Sequence, residues 1–513
     1  MELTGALSIA LFAAVSGIAM SYAWGMRGTN LGGEKSAMLP GAVMGTMLAV
    51  FSGSRFLLEN AYLMAAAGAL GMFFGGHMSY MQSVGLTSNK FPPEDFKRGM
   101  AGLAVKGGVW FGVFGAAAGM FLSFMAGQSY NSLTTVLPLF GLMPLTIFIG
   151  ERIFDRPFDA KKGIHPKLYF SVNRQDGIGV VTGALAHLII FMALSKDWAA
   201  LALMAGSLLS GAFGFPLAVQ LQRRSRYPNR RGRIFLEKIT KKGVIDTWKI
   251  AECSFGAMGG IGIALTFLLL TKLSPGWAAS VAAISALPSL TGDLAPWVLP
   301  AAYAALTLAV ILIPFIIRRP RTKEELEDAL DRGLMGQGEF EFASLRLRSV
   351  RTAGSEPARG WLLYEKIFEG LERPIFCVLP LSLMFLGSAR TAALVSVWFM
   401  YHILAEQNIF VRFNEFKTIL LWRIGMLGAS FAILLSMLLW GWTPGLLLLA
   451  LLYGAFYEAI TLVGHIAPRS PDRGKLLVKD VGVVKTYGAK LTVHPWFLAC
   501  IAVFTVLAAW VGV

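Results

Sequence analysis

Four apolar stretches of this chain open on the same kind of polar cluster. "GGEKSAMLPGAVMG" carries Glu34 and Lys35, and "GLAVKGGVWFGVFG" carries Lys106. "SVNRQDGIGVVTGA" carries Arg174 and Asp176, and "KIAECSFGAMGGIG" carries Lys249 and Glu252. A helix starting at such a place exposes unpaired N–H groups and about half a positive charge. Glu34, Asp176 and Glu252 have the right sign to complement that end. Arg27, Lys35, Lys106, Arg174 and Lys249 have the wrong sign. Gathered together, they predict a net electropositive hollow that favours a small polar anion or zwitterion.

Lys106 is the most informative of them. It lies about six residues into its apolar run, roughly 9 Å along a helix. An ion at that depth needs a cavity, a partner, or a stem long enough to snorkel out. Trp110 follows one turn later, and Trp24 and Trp248 flank two of the other starts. These indoles suit either a membrane-interface belt or a stacking surface for a ligand. The turn "AWGMRGTNLGGEKSAML", residues 23–39, holds Gly25, Gly28, Gly32 and Gly33, so backbone there can approach a bound group closely. The expected substrate-binding set is therefore Arg27, Glu34, Lys35, Lys106, Trp110, Arg174, Asp176, Lys249 and Glu252.

A second, weaker set lies near the C-terminus. His402 and Glu406 are i, i+4 and share a helix face. Arg423 and Glu458 fall inside apolar runs, where pairing is the cheapest way to keep both. Two ligand-type residues do not make a metal site, and none is expected. His187, mid-way along an apolar run, reads as a hydrogen-bonded packing residue. Cys253, Cys377 and Cys500 are odd in number and widely spaced, so no disulfide framework follows. The chain has no HExxH, GxSxG, Walker A or dinucleotide-binding glycine pattern, and the sequence leaves any cofactor unknown.

The elements that must position these residues follow from composition. The 513 residues are 55% hydrophobic and 15% charged, against about 25% charged in soluble domains. Apolar runs of membrane-spanning length recur from end to end. The expected fold is all-α: a polytopic integral membrane bundle of about fourteen transmembrane helices. The first eight runs cover roughly 4–23, 36–52, 60–76, 100–126, 133–150, 177–194, 199–221 and 253–271. Residues 1–317 form an N-terminal membrane domain of about nine helices. Residues 374–513 form a C-terminal one of about five. Between them, 318–373 is a charged cytoplasmic linker with eleven basic and eleven acidic residues. Thr322 to Glu325 reads there as a capping box, with Leu326, Ala329 and Leu330 on one face of a short helix.

Net charge is +16, but its placement says more than its size. Of 46 Lys and Arg, 40 fall in odd-numbered connections; the even ones hold Arg55, Lys196, Lys272 and Arg390. That alternation places odd loops in the cytoplasm and both termini outside, in what reads as a bacterial cytoplasmic membrane. The basic run "RRSRYPNRRGR" then anchors topology or meets anionic lipid, and no nucleic acid is implied.

The polar starts also carry small-xxx-small pairs: Gly41/Gly45, Gly108/Gly112, Gly179/Gly183 and Gly256/Gly260. Small residues let membrane helices approach closely, so the four runs are expected to pack on one another. The charges Glu34, Lys106, Asp176 and Glu252 recur at intervals of 72, 70 and 76 residues, which suggests duplicated helical hairpins. Many spans, repeats and intramembrane charges are common in secondary carriers, here for a small anionic or zwitterionic solute. The same residues fit two alternatives. One is a membrane-embedded transferase or hydrolase acting on a lipid head group or phosphorylated substrate. The other is a non-catalytic scaffold or sensor that meets a protein partner through 318–373.

Overall fold

A computed structural model of the chain describes residues 6–27, 37–88, 91–226, 247–291, 323–333, 378 and 381–387. Helices dominate, and there is no strand among the described residues beyond one isolated bridge, Asp159 with Ile164. The principal helices are α1 (Ala6–Arg27), α2 (Met38–Val50), α3 (Arg55–Glu59), α4 (Ala61–Phe74) and α5 (Tyr80–Leu86). They continue as α6 (Pro93–Met125), α7 (Leu133–Gly141), α8 (Met143–Gly150), α9 (Ile178–Leu194) and α10 (Trp198–Arg226). Then come α11 (Thr247–Leu273), α12 (Pro275–Ala282) and α13 (Lys323–Asp331). Five helical stretches are long and apolar enough to cross a membrane, and a sixth qualifies if a bent pair counts as one span. Two shorter apolar helices, α2 and α9, complete the eight runs expected up to residue 273.

Helix α6 is the centre. It starts at a Pro92–Pro93 pair with Glu94 and Asp95 in its first turn, both favourable at a helix N-terminus. Its most apolar window is 94% buried within the protein. Contacts between neighbours run α1–α2–α4–α6–α10–α11 and back to α1, closing a ring of six helices. Helices α8 and α9 lie outside that ring, with α9 against α6.

The axis of the ring is filled, not open. Phe12 stacks on Phe51 at 4.2 Å, and Trp24 meets Phe255 at 4.7 Å and Trp110 at 5.4 Å. Phe111 lies 4.9 Å from Phe255, and Phe215 stacks on Phe255 at 3.6 Å. These rings close the bundle by filling it.

The glycine pairs do bring backbones together, but not as expected. Gly41 and Gly45 pack on α4 at Gly68 and Met64. Gly179 and Gly183 pack on α8 at Gly150 and Thr146, and Gly256 and Gly260 on α1 at Met20 and Ser16. Gly108 faces Ala212 and Leu208 of α10, and Gly112 faces Leu185 of α9 and Leu208. With Gly112 the exception, each pair meets an antiparallel helix from the other set of runs. The four starts do not pack on one another through glycine. The reason is geometric: ring neighbours alternate in direction, so a helix's closest partner is one that runs the opposite way.

The short helix expected at 322–330 is α13. Leu326 and Ala329 are buried, and Gly333 closes it at φ +68°. It docks on the loop before α9: Arg332 Nε donates to Asp159 at 3.2 Å, Lys161 Nζ to Asp328 at 3.3 Å, and the Ala160 N–H to Arg332 O at 3.0 Å.

Candidate functional site

The residues around Lys106 make a buried polar centre beside the ring. Its Nζ donates to Ser79 O at 3.1 Å, to Ser83 Oγ at 2.9 Å and to Asp176 Oδ1. An ammonium has three protons, and all three are used. Both Lys106 and Asp176 are 0% exposed. Asp176 is equally saturated. Its Oδ1 also accepts from Ser171 Oγ, and its Oδ2 accepts from the Phe170 N–H at 2.6 Å.

A break in the third apolar run builds this site. The sequence suggested one span over 60–76. The chain instead runs as Ala61–His77, bends by 54°, and continues as Tyr80–Leu86. At the bend Ser79 O accepts from the Gln82 N–H at 3.2 Å as well as from Lys106, while Ser79 N–H donates to Asp176 O at 2.9 Å and Ser79 Oγ to Gln175 O at 2.7 Å. Trp110 steadies the α4 side by donating from Nε1 to Met72 O at 2.7 Å. Gly177 then starts α9 at φ +67°, with His77 O where a Cβ would stand, so only glycine fits both the conformation and the space.

A second buried carboxylate, Asp155, shares the start of α9. Its Oδ2 accepts from the Gly179 N–H at 2.9 Å. Its Oδ1 is buried with no hydrogen-bond partner among the described residues. In the loop between them, burial pushes the Tyr169 phenol up to about 12, and the Asp176 charge adds to the shift.

The expected site residues thus divide. Lys106, Asp176 and Trp110 are interior, and Lys106 is held by protein partners. Trp110 is 0% exposed, a core indole with no belt position. Lys249 and Glu252 pair at 2.6 Å at the start of α11, and Lys249 Nζ also donates to Gly25 O at 2.5 Å. Arg174 is half-buried beside Asp176 in sequence. Glu34, Lys35 and the Arg27 side chain lie outside what is described, as do His402, Glu406, Arg423 and Glu458. Of the three described cations of the set, Lys106 and Lys249 are each paired with a carboxylate. A cleft of about 20 Å³, room for one water-sized group, lies between Trp24, Tyr80, Phe215, Trp248, Phe255 and Glu252. His187 is a packing residue whose Nε2–H donates to Leu139 O at 2.5 Å.

Ser79, Ser83, Ser171 and Asp155 were not singled out from sequence. Serines near a break carry no periodic signal. Gly75-Gly76-His77 before Ser79 was the one available hint of an interruption. Compared with known protein families, curated proteins and solved structures, the chain has no significant match.

Proposed function

We propose that the protein is a secondary carrier for a small polar anionic or zwitterionic solute. One observation carries this reading: a discontinuous third span whose Ser79 carbonyl, at the break, accepts both the Gln82 N–H and a fully buried lysine that is paired with an aspartate at the start of another helix. Broken spans that present backbone carbonyls and helix starts to ions are a recurring device of carriers. A break is tolerated in a span only where neighbours satisfy its backbone, since each bare group in hydrocarbon costs on the order of several kcal/mol, and here Asp176 O and Lys106 meet that need at Ser79. The six-helix ring plugged by Trp24, Phe111, Phe215 and Phe255 supports the reading as a pathway shut by side chains. Rings can be displaced far more cheaply than helices.

The solute would first meet Arg27, Lys35 and Arg174. Lys106–Asp176 would serve as the internal switch that binding perturbs. The test is uptake by proteoliposomes of the full chain. Labelled glutamate, glycine betaine and succinate are offered, and accumulation should require Lys106 and vanish in Lys106→Ala. Chemical turnover in detergent, with no sealed compartment needed, would instead point to an enzyme. The crowding of charge at one end of the bundle is the observation that favours that second reading.

A further inference from the structure

Asp155 and Asp176 occupy one place but have unlike surroundings, and this difference suggests what drives the carrier. We infer that Asp155 is a proton-binding residue, so that the ion coupled to solute movement is H⁺. The inference rests on the carrier reading for its physiological meaning, though not for the chemistry of the site.

Asp176 has four donors: Lys106 Nζ, Ser171 Oγ and the Phe170 N–H on its side chain, and the Ser79 N–H on its carbonyl. Three of these hold its carboxylate, one of them a full positive charge. Asp155 is 0% exposed like Asp176, but pairs with no cation among the described residues. The α9 amides of Gly179 and Val180 face the carboxylate, yet Oδ1 is buried with no hydrogen-bond partner among the described residues. A buried anion with an unsatisfied oxygen is costly unless it is paired or neutralised.

The charges around Asp155 raise that cost. Glu151 lies on the same turn, and its charge is answered by Arg156 at 3.1 Å. Asp176 lies across the start of α9, and its charge is answered by Lys106. His77, on the turn packed against α9, shows Gly177 its backbone carbonyl. Lys106 and Arg156 are therefore already committed. When two carboxylates share a site with unlike support, the poorer supported one takes the proton. The reaction is simple: the Asp155 carboxylate takes H⁺ from water on one side of the membrane and becomes a neutral acid, then returns it on the other. Among the described residues no three His, Cys, Asp or Glu side chains converge as a metal ion would need. One open oxygen suits a proton better than a chelated cation.

The decisive experiment uses the full chain in nanodiscs and infrared difference spectra between acid and alkaline buffer. Wild type should show a carboxylic-acid carbonyl band that titrates with pH. Asp155→Asn keeps an oxygen for the Gly179 N–H but cannot titrate, so it should lose one component of that band. Asp197→Asn, at a distant buried carboxylate, should keep it. Asp155→Glu, which still titrates, should move that component without removing it, and so decides the matter should the Asn variant fail to fold. An unchanged spectrum in Asp155→Asn and Asp155→Glu, or a band displaced by sodium at fixed pH, overturns the inference. In proteoliposomes the Asn variant should lose pH-driven accumulation and keep solute exchange. Loss of both, or no transport by wild type, counts against the carrier reading and leaves the infrared result standing.

Discussion

Lys106 and Asp176 stand 70 residues apart and meet as a fully buried ion pair between α6 and the start of α9. Neither could be buried without the other. Desolvating two ions costs several kcal/mol each, and only close contact plus further hydrogen bonds offsets it. Ser79 O, Ser83 Oγ, Ser171 Oγ and the Phe170 N–H supply those bonds.

Removing one partner should therefore cost more than removing both. Lys106→Met leaves a buried carboxylate without its cation and should destabilise by about 3–5 kcal/mol. Lys106→Met with Asp176→Leu removes both charges and should recover much of that loss. Thermal melting of the detergent-solubilised protein measures it. A double variant that melts lower than both single variants would show that the pair is worth more than its charges.

Glycine contacts give a second contrast. Gly45 approaches the Met64 backbone so closely that a Cβ would stand 2.7 Å from Met64 C. Gly45→Ala must push α2 off α4, which should cost about 1–3 kcal/mol, the usual penalty for overpacking. Gly85, inside α5, has nothing within 4 Å of the corresponding position. Gly85→Ala should be neutral or stabilise by about 0.4–1 kcal/mol by restricting the unfolded chain. Paired melting curves test both.

Much of the bundle was readable beforehand because lipid imposes a length and a polarity on every span. The runs expected at 100–126, 177–194 and 253–271 lie within or beside α6, α9 and α11. Lys106 and Asp176 were also visible as polar residues in costly places. Their mutual pairing was not, since both fell in the expected substrate-binding set, with Asp176 also suited to complement its own helix start. Long-range partnership depends on which faces of α5, α6 and α9 turn toward one another, and no local pattern encodes that. The packing partners of the glycine pairs escaped for the same reason. Asp155 was hidden differently. It ends an apolar run in a charged loop, where an acid is ordinarily a solvated residue. Only the fold tucks it under α9.

Trp110 offers a test of the break itself. Its Nε1–H satisfies Met72 O, close to where the α4 ladder runs out. Trp110→Phe keeps most of the ring and loses the bond. The cost should be about 1–3 kcal/mol, because a buried carbonyl is left bare. Hydrogen exchange of the amides of 73–80 should quicken in the variant, and those of α10 should not.

The far end of α6 supplies a pH dependence. Asp197 precedes α10 and accepts from Ser123 Oγ at 2.9 Å and from the Ala200 N–H at 3.0 Å. Burial pushes its carboxyl above the ordinary aspartate range, outweighing these bonds. The nearby Tyr130 phenol is likewise pushed up, by burial first and then by the Asp197 charge. A carboxyl with a raised value binds its proton more tightly when the protein is folded. Its contribution is then fully present below the ordinary value of about 3.9 and is lost as pH rises through the raised one. Above the ordinary aspartate value, burying Asp197 is thus a burden that the fold carries. Asp197→Asn can still accept both hydrogen bonds and has no charge to desolvate, so it should melt above wild type at pH 8 (about four units above the ordinary aspartate value). The advantage should shrink steadily on acidification. Equal melting temperatures at both ends of the range would mean that Ser123 and Ala200 already offset the whole cost of burying the ion.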